Sequence, residues 1–103
     1  MPELDAIAMY SRMAQRAQNS GAPEQALLHL SDALRLAREC RRPLLEARSR
    51  HSMGLVYAQT GRTQQAISCW RCAQGLMRNA ATTGNGKRLA AAISANLSAF
   101  EQA

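Results

Sequence analysis

Residues 54–73 read Gly54-Leu55-Val56-Tyr57-Ala58-Gln59-Thr60-Gly61-Arg62-Thr63-Gln64-Gln65-Ala66-Ile67-Ser68-Cys69-Trp70-Arg71-Cys72-Ala73. Before Gly61, Leu45, Met53, Val56 and Tyr57 recur at spacings that suit one face of a helix. After it, Ala66, Ile67, Trp70, Ala73, Leu76 and Met77 form a second helical stripe. Glycine breaks a helix and Thr63 can cap the next one, so the stretch predicts two helices joined by a tight turn. Helices joined so closely must run antiparallel. Gly54, Ala66 and Ala73 have almost no side chain, which lets the pair approach closely, and Trp70 fills the space around them.

The same unit occurs earlier in the chain. A shift of 40 residues lays Gly21 on Gly61, Gln25 on Gln65, Ala26 on Ala66, Ala33 on Ala73, Leu36 on Leu76 and Arg38 on Arg78, with Leu30 on Trp70. Breaks fall at Gly21-Ala22-Pro23, Arg42-Pro43, Gly61-Arg62-Thr63 and Thr82-Thr83-Gly84-Asn85-Gly86. Pro23 and Pro43 suit the first turn of a helix, where the missing amide has no partner to lose. The pattern predicts five helices, over roughly 3–19, 23–41, 43–60, 63–80 and 86–101. The expected architecture is all-α: one domain spanning 1–103, with repeat one at 3–41, repeat two at 43–80 and a final helix at 86–101. A repeated pair of antiparallel helices stacks into a superhelix, or solenoid.

Composition agrees. The chain has 103 residues, 47% of them apolar, enough for one modest core. β-Branched aliphatic residues are few (Val56, Ile7, Ile67 and Ile93), which argues against strands. The formal net charge is +6, and twelve of the thirteen basic residues are arginine. Arginine pairs with carboxylates through a planar fork, which suits an acidic partner. The N-terminal residues lack the apolar segment of a secretory signal, and no apolar run reaches the ~20 residues of a membrane span. Three cysteines fit a reducing compartment better than a disulfide framework. A cytoplasmic protein is the expectation.

Gly54, Tyr57, Gly61, Ala66, Trp70 and Ala73 fall at the spacing of the tetratricopeptide repeat family's small and large positions, and the chain resembles that family. The first unit matches through Ala14, Ala17, Gly21, Ala26, Leu30 and Ala33. Ser94 and Leu97 take the corresponding positions in the last helix. The period of 40 exceeds the family's usual ~34 and is similar to the elongated repeats of kinesin light chains. The resemblance implies a protein–protein interaction module that takes a peptide along a concave face lined by the first helix of each repeat. That face would present Ser11, Gln15, Gln18 and Asn19, then Arg48, His51, Leu55 and Gln59, then Arg88, Ala91, Ala95 and Ser98. Gln15, Asn19, Arg48, His51, Leu55, Gln59 and Arg88 are the residues expected to meet the partner. The carboxylate clamp of chaperone-binding members is kept only at Arg88, since Gln15, Ser52 and Ala92 stand at its other positions.

Other readings of the chain are weaker. Cys69-Trp70-Arg71-Cys72 has the spacing of a redox or metal pair, but it lies inside a helix with no strand before it. His29, His51 and Cys40 add no second close pair for a zinc ion. No framed nucleophile accompanies the serines, so no enzyme, catalytic residue, cofactor or metal is expected. Gly84-Asn85-Gly86-Lys87 lacks the length and context of a phosphate loop. Arg35, Arg38, Arg41, Arg42, Arg48 and Arg50 are basic enough to touch nucleic acid. Glu39 and Glu46 interrupt them, and aromatic residues for base stacking are missing there. Leu89, Ile93, Leu97 and Phe100 give the last helix more apolar surface than one neighbour needs. A homodimer or scaffold formed through that helix is therefore the alternative expectation.

Overall fold

A computed structural model describes residues 2–78 and 84–102. Five helices follow one another: α1 (Pro2–Asn19), α2 (Pro23–Glu39), α3 (Pro43–Gln59), α4 (Thr63–Met77) and α5 (Gly84–Glu101). The fold is all-α, and no strand occurs among the described residues. The most extensive pairings are α1 with α2 and α3 with α4; α2 also packs on α3, and α4 on α5. The principal extents are 41 × 34 × 19 Å, a slab about two helices deep. Successive helices packed in this way are consistent with a helical-repeat superhelix.

The first three connections share one geometry. Gly21, Arg41 and Gly61 adopt left-handed φ of 73°, 54° and 76°. After each, an amide reaches back to a carbonyl of the helix just ended: Ala22 to Ala17 at 2.8 Å, Arg42 to Ala37 at 2.9 Å and Arg62 to Tyr57 at 2.8 Å. This Schellman arrangement satisfies carbonyls that the helix end leaves open. The next helix starts at once with Pro23, Pro43 or Thr63. Thr63 is therefore the first helical residue rather than a side-chain cap, and the N-cap position falls to Arg62, which makes no side-chain cap bond. Equivalent turns recur every 20 residues, half the period read from the side chains.

The 40-residue repeat holds in burial as well. Ala26 and Ala66 are fully buried, as are Ala33 and Ala73, while Leu30 and Trp70 lie inside at 3% and 0% exposure. Around Trp70 the core gathers Ala47, Ala66, Ile67, Ala73, Met77, Ile93 and Leu97. A Cβ on Gly54 would stand 2.3 Å from Trp70 Nε1, so only glycine admits the indole here. The indole N–H donates to the His51 carbonyl at 3.2 Å. Phe100 of α5 meets the ring edge-on, with centroids 5.0 Å apart.

Two expectations change. Helix α5 begins at Gly84, so Gly84, Asn85 and Gly86 are helical rather than part of a loop, and Gly86 is buried. Thr82 and Thr83, and the expected end of α4 at Asn79 and Ala80, lie outside the described residues. The second change concerns the proposed dimer surface. Ile93 and Leu97 are buried, and Leu89 and Phe100 are half-buried in the same cluster as Trp70. Much of the apolar stripe of α5 thus packs into this chain's own core, and less of it is exposed than the sequence pattern suggests.

Arg41 holds a left-handed conformation that costs a non-glycine residue about 1–2 kcal/mol. Arg41→Gly is expected to raise the urea midpoint by about 1 kcal/mol of stability, and Gly61→Ala to lower it by a similar amount. No atom lies near a Cβ built on Gly61, so its loss would report backbone strain alone. Gly54→Ala should cost about 1–3 kcal/mol through overpacking. Urea melts followed by Trp70 fluorescence measure both effects, and an unchanged G54A midpoint would contradict the packing described here.

Candidate functional site

The odd-numbered helices form one layer. Gln18 Nε2 of α1 donates to Gln59 Oε1 of α3 at 3.2 Å. Across the next junction, Asn96 Nδ2 of α5 lies 3.1 Å from His51 Nε2 of α3. Near the α3–α4 turn, Arg62 reaches Glu24 of α2 at 2.6 Å and places its guanidinium 5.1 Å from the centre of the Tyr57 ring. The end of the bundle that carries Gly21 and Gly61 is thus tied across the repeats.

At the opposite end, α1 and α3 leave a groove of about 700 Å³ between them. Three turns of α1 supply Leu4, Ile7, Ala8, Ser11 and Arg12, and the start of α3 supplies Leu44, Leu45, Arg48 and Ser49. Beneath, α2 contributes Ala33 and Ala37, fully buried and clustered with Ile7, Leu4 and Leu45. Alanines have little side chain with which to fill the gap above them. Arg12, Arg42 and Arg48 stand at the edges, and no acidic residue lines the groove. The Ser11 hydroxyl is already engaged, donating to the Ile7 carbonyl at 2.9 Å.

The expected partner residues divide among several surroundings. Arg48 lies in the groove and is exposed. Gln15 and Asn19 bond to each other along α1 at 3.1 Å, beyond the groove. Gln59 is held by Gln18. Leu55 is half-buried and packs on the Trp70 cluster. Arg88 donates to Asn85 at 3.2 Å within its own helical turn and does not line the groove. His51 is half-buried, and burial pushes its imidazole below the usual range. A neutral Nε2 can accept the Asn96 amide hydrogen, so His51 acts at the α3–α5 junction. Leu4, Ile7, Ala8, Arg12, Leu44 and Leu45 also line the groove, and the family spacing does not single them out. One signal was available: Leu4 and Leu44 share a register under the 40-residue shift, as do Ala8 and Arg48.

The remaining chemistry is weak at these positions. Burial raises the Cys69 thiol above its ordinary value, although Arg50 pulls the other way. A thiol so shifted is a poor thiolate source. Among the described residues no three His, Cys, Asp or Glu side chains gather in a way that could hold a metal ion. Several arginines are paired: Arg35 with Asp32 and Glu39, Arg38 with Glu46, and Arg71 with Glu101. No described helix is long and apolar enough to cross a membrane. Comparison with protein-family models, curated proteins and solved structures finds no match for this chain.

The depressed His51 pKa has a consequence for stability. The unfolded chain, with histidine near 6.5, takes up the proton before the folded chain does. Stability is therefore level above that pH and falls as pH drops below it. Parallel urea melts of the wild type and His51→Gln should coincide at neutral pH, apart from a constant offset. They should diverge in acid, with the wild type losing more. Parallel curves throughout would exclude His51 as the titrating group.

Proposed function

We propose that this chain is a non-enzymatic protein–protein interaction module of tetratricopeptide-like design, binding a peptide segment or partner protein on the face shared by α1, α3 and α5. The groove between α1 and α3 supports this reading most directly. Two helices of one layer border an apolar trough, open to solvent, with cationic side chains along its edges. Grooves of this kind take side chains of a partner segment as anchors. The interhelical bonds from Gln18 to Gln59 and from His51 to Asn96 hold the three helices in register, so the face is already formed before a partner arrives. A preformed surface reduces the ordering cost of binding.

The family resemblance supports the same face through Arg48, which lies in the groove, and would bring Gln15, Asn19, His51, Leu55, Gln59 and Arg88 to a partner as well. A photo-crosslinking amino acid placed at Ser11 should capture a partner from native lysate. The same group at Gln25, exposed on α2 in the other layer, should not. Arg48→Glu should weaken the Ser11 crosslink. Equal capture from both positions, or capture indifferent to Arg48→Glu, would refute the assignment of this face.

A further inference from the structure

Resting on that reading, we infer that the α1–α3 groove is an anchor site for an acidic, apolar peptide segment: bulky aliphatic or aromatic side chains on its floor and carboxylates on Arg12 and Arg48.

The shape sets the first requirement. From Leu4 to Arg12 the lining of α1 advances about 12 Å. That length matches two turns of a docked helix or about four residues of extended chain. The floor offers Leu4, Ile7, Ala8, Leu44 and Leu45, and of these only Ile7 is fully within the core. An occupant gains by covering the rest with apolar groups of its own.

Charge sets the second. Every charged side chain lining the groove is an arginine. Arg12 and Arg48 are exposed and make no ion pair among the described residues, whereas Arg35, Arg38, Arg62 and Arg71 each do. With the Ser11 hydroxyl engaged, the exposed guanidinium groups are the charged donors that face an incoming chain. Nearby Glu46 is drawn off to Arg38 at 3.5 Å. A partner bearing basic residues would meet uncompensated like charge here, and a neutral one would leave both arginines without partners. Carboxylates beside the apolar anchors satisfy both, and the chain's net charge of +6 favours their approach.

The test uses fluorescein-labelled synthetic peptide pools in which apolar residues alternate with Asp and Glu, with Lys and Arg, or with Ser and Gln. Binding to the full chain is followed by fluorescence polarisation at low and high salt. The acidic pool should bind best and weaken with salt. Arg12→Glu and Arg48→Glu should each reduce its affinity about tenfold. Ala8→Phe, which fills the floor from an exposed position, should abolish binding while circular dichroism stays unchanged. Should that variant fold poorly, the two exposed arginine variants still decide the matter. The inference fails if the basic or neutral pool binds equally well, if no pool binds, or if acidic binding survives the arginine reversals. It also fails if laurate alone occupies the groove, or if the chain dimerises in a manner lost in Ala8→Phe, which would make a second copy the occupant. If the acidic pool fails while Ser11 still crosslinks a partner that Arg48→Glu weakens, the interaction face stands and only the acidic anchor falls.

Discussion

The contact of Trp70 with Gly54 is the constraint on which the second half of the molecule depends. The indole occupies the space that a side chain at position 54 would need, which brings α4 against the backbone of α3. Its N–H reaches a carbonyl inside α3, so the ring is fixed in orientation as well as depth. Phe100 then seats α5 on the ring's edge, and Ile93 and Leu97 complete the same cluster. In the first repeat Ala14 and Leu30 take the corresponding places. The smaller pair gives a less demanding joint, since the leucine side chain has no N–H to anchor it and no ring to fix its orientation.

The turns distribute the helices between two layers. Each of the first three connections reverses the chain with one left-handed residue and starts the next helix within two residues. Alternate helices therefore share a layer, and residues 40 apart share an environment. The cross-repeat ties lie near the Gly21 and Gly61 turns, where Gln18 meets Gln59 and Arg62 meets Glu24. The groove opens at the other end, above Ala33 and Ala37. A tied end and an open end are complementary parts of one arrangement: the first keeps α1 and α3 in register, and the second leaves room between them.

Much of this was legible in the side-chain pattern. The five helices and the small-to-large packing of Gly54, Ala66, Ala73 and Trp70 follow from helical periodicity and glycine placement, because those features act locally. The turn at Arg41 was harder to see, since an arginine stands where the other two turns use glycine. Gly84 and Gly86 suggest a loop, yet both fall in the first turn of α5, and Gly86 is buried there. The candidate site was the least legible part. Periodicity shows which side of a helix is apolar but not what covers it. Leu89, Ile93, Leu97 and Phe100 have the same spacing whether they face a second copy or Trp70. Leu4, Ile7 and Leu45 likewise look the same whether they close a core or floor a groove. The register of His51 suits the inner face of the repeats that the chain resembles, while its bond to Asn96 depends on how α5 docks.

The uniform turns have a kinetic side. Among the described residues most packing contacts join helices adjacent in sequence, while α3 with α5 and α1 with α3 touch more narrowly across a neighbour. Loop closure at each of the three Schellman turns involves a few residues, so little chain entropy stands between one formed helix and its neighbour. A chain of such low contact order folds quickly. The α3–α4 hairpin holds the largest buried side chain, and in an array of this kind each helix gains its stability mainly from the neighbours on which it packs.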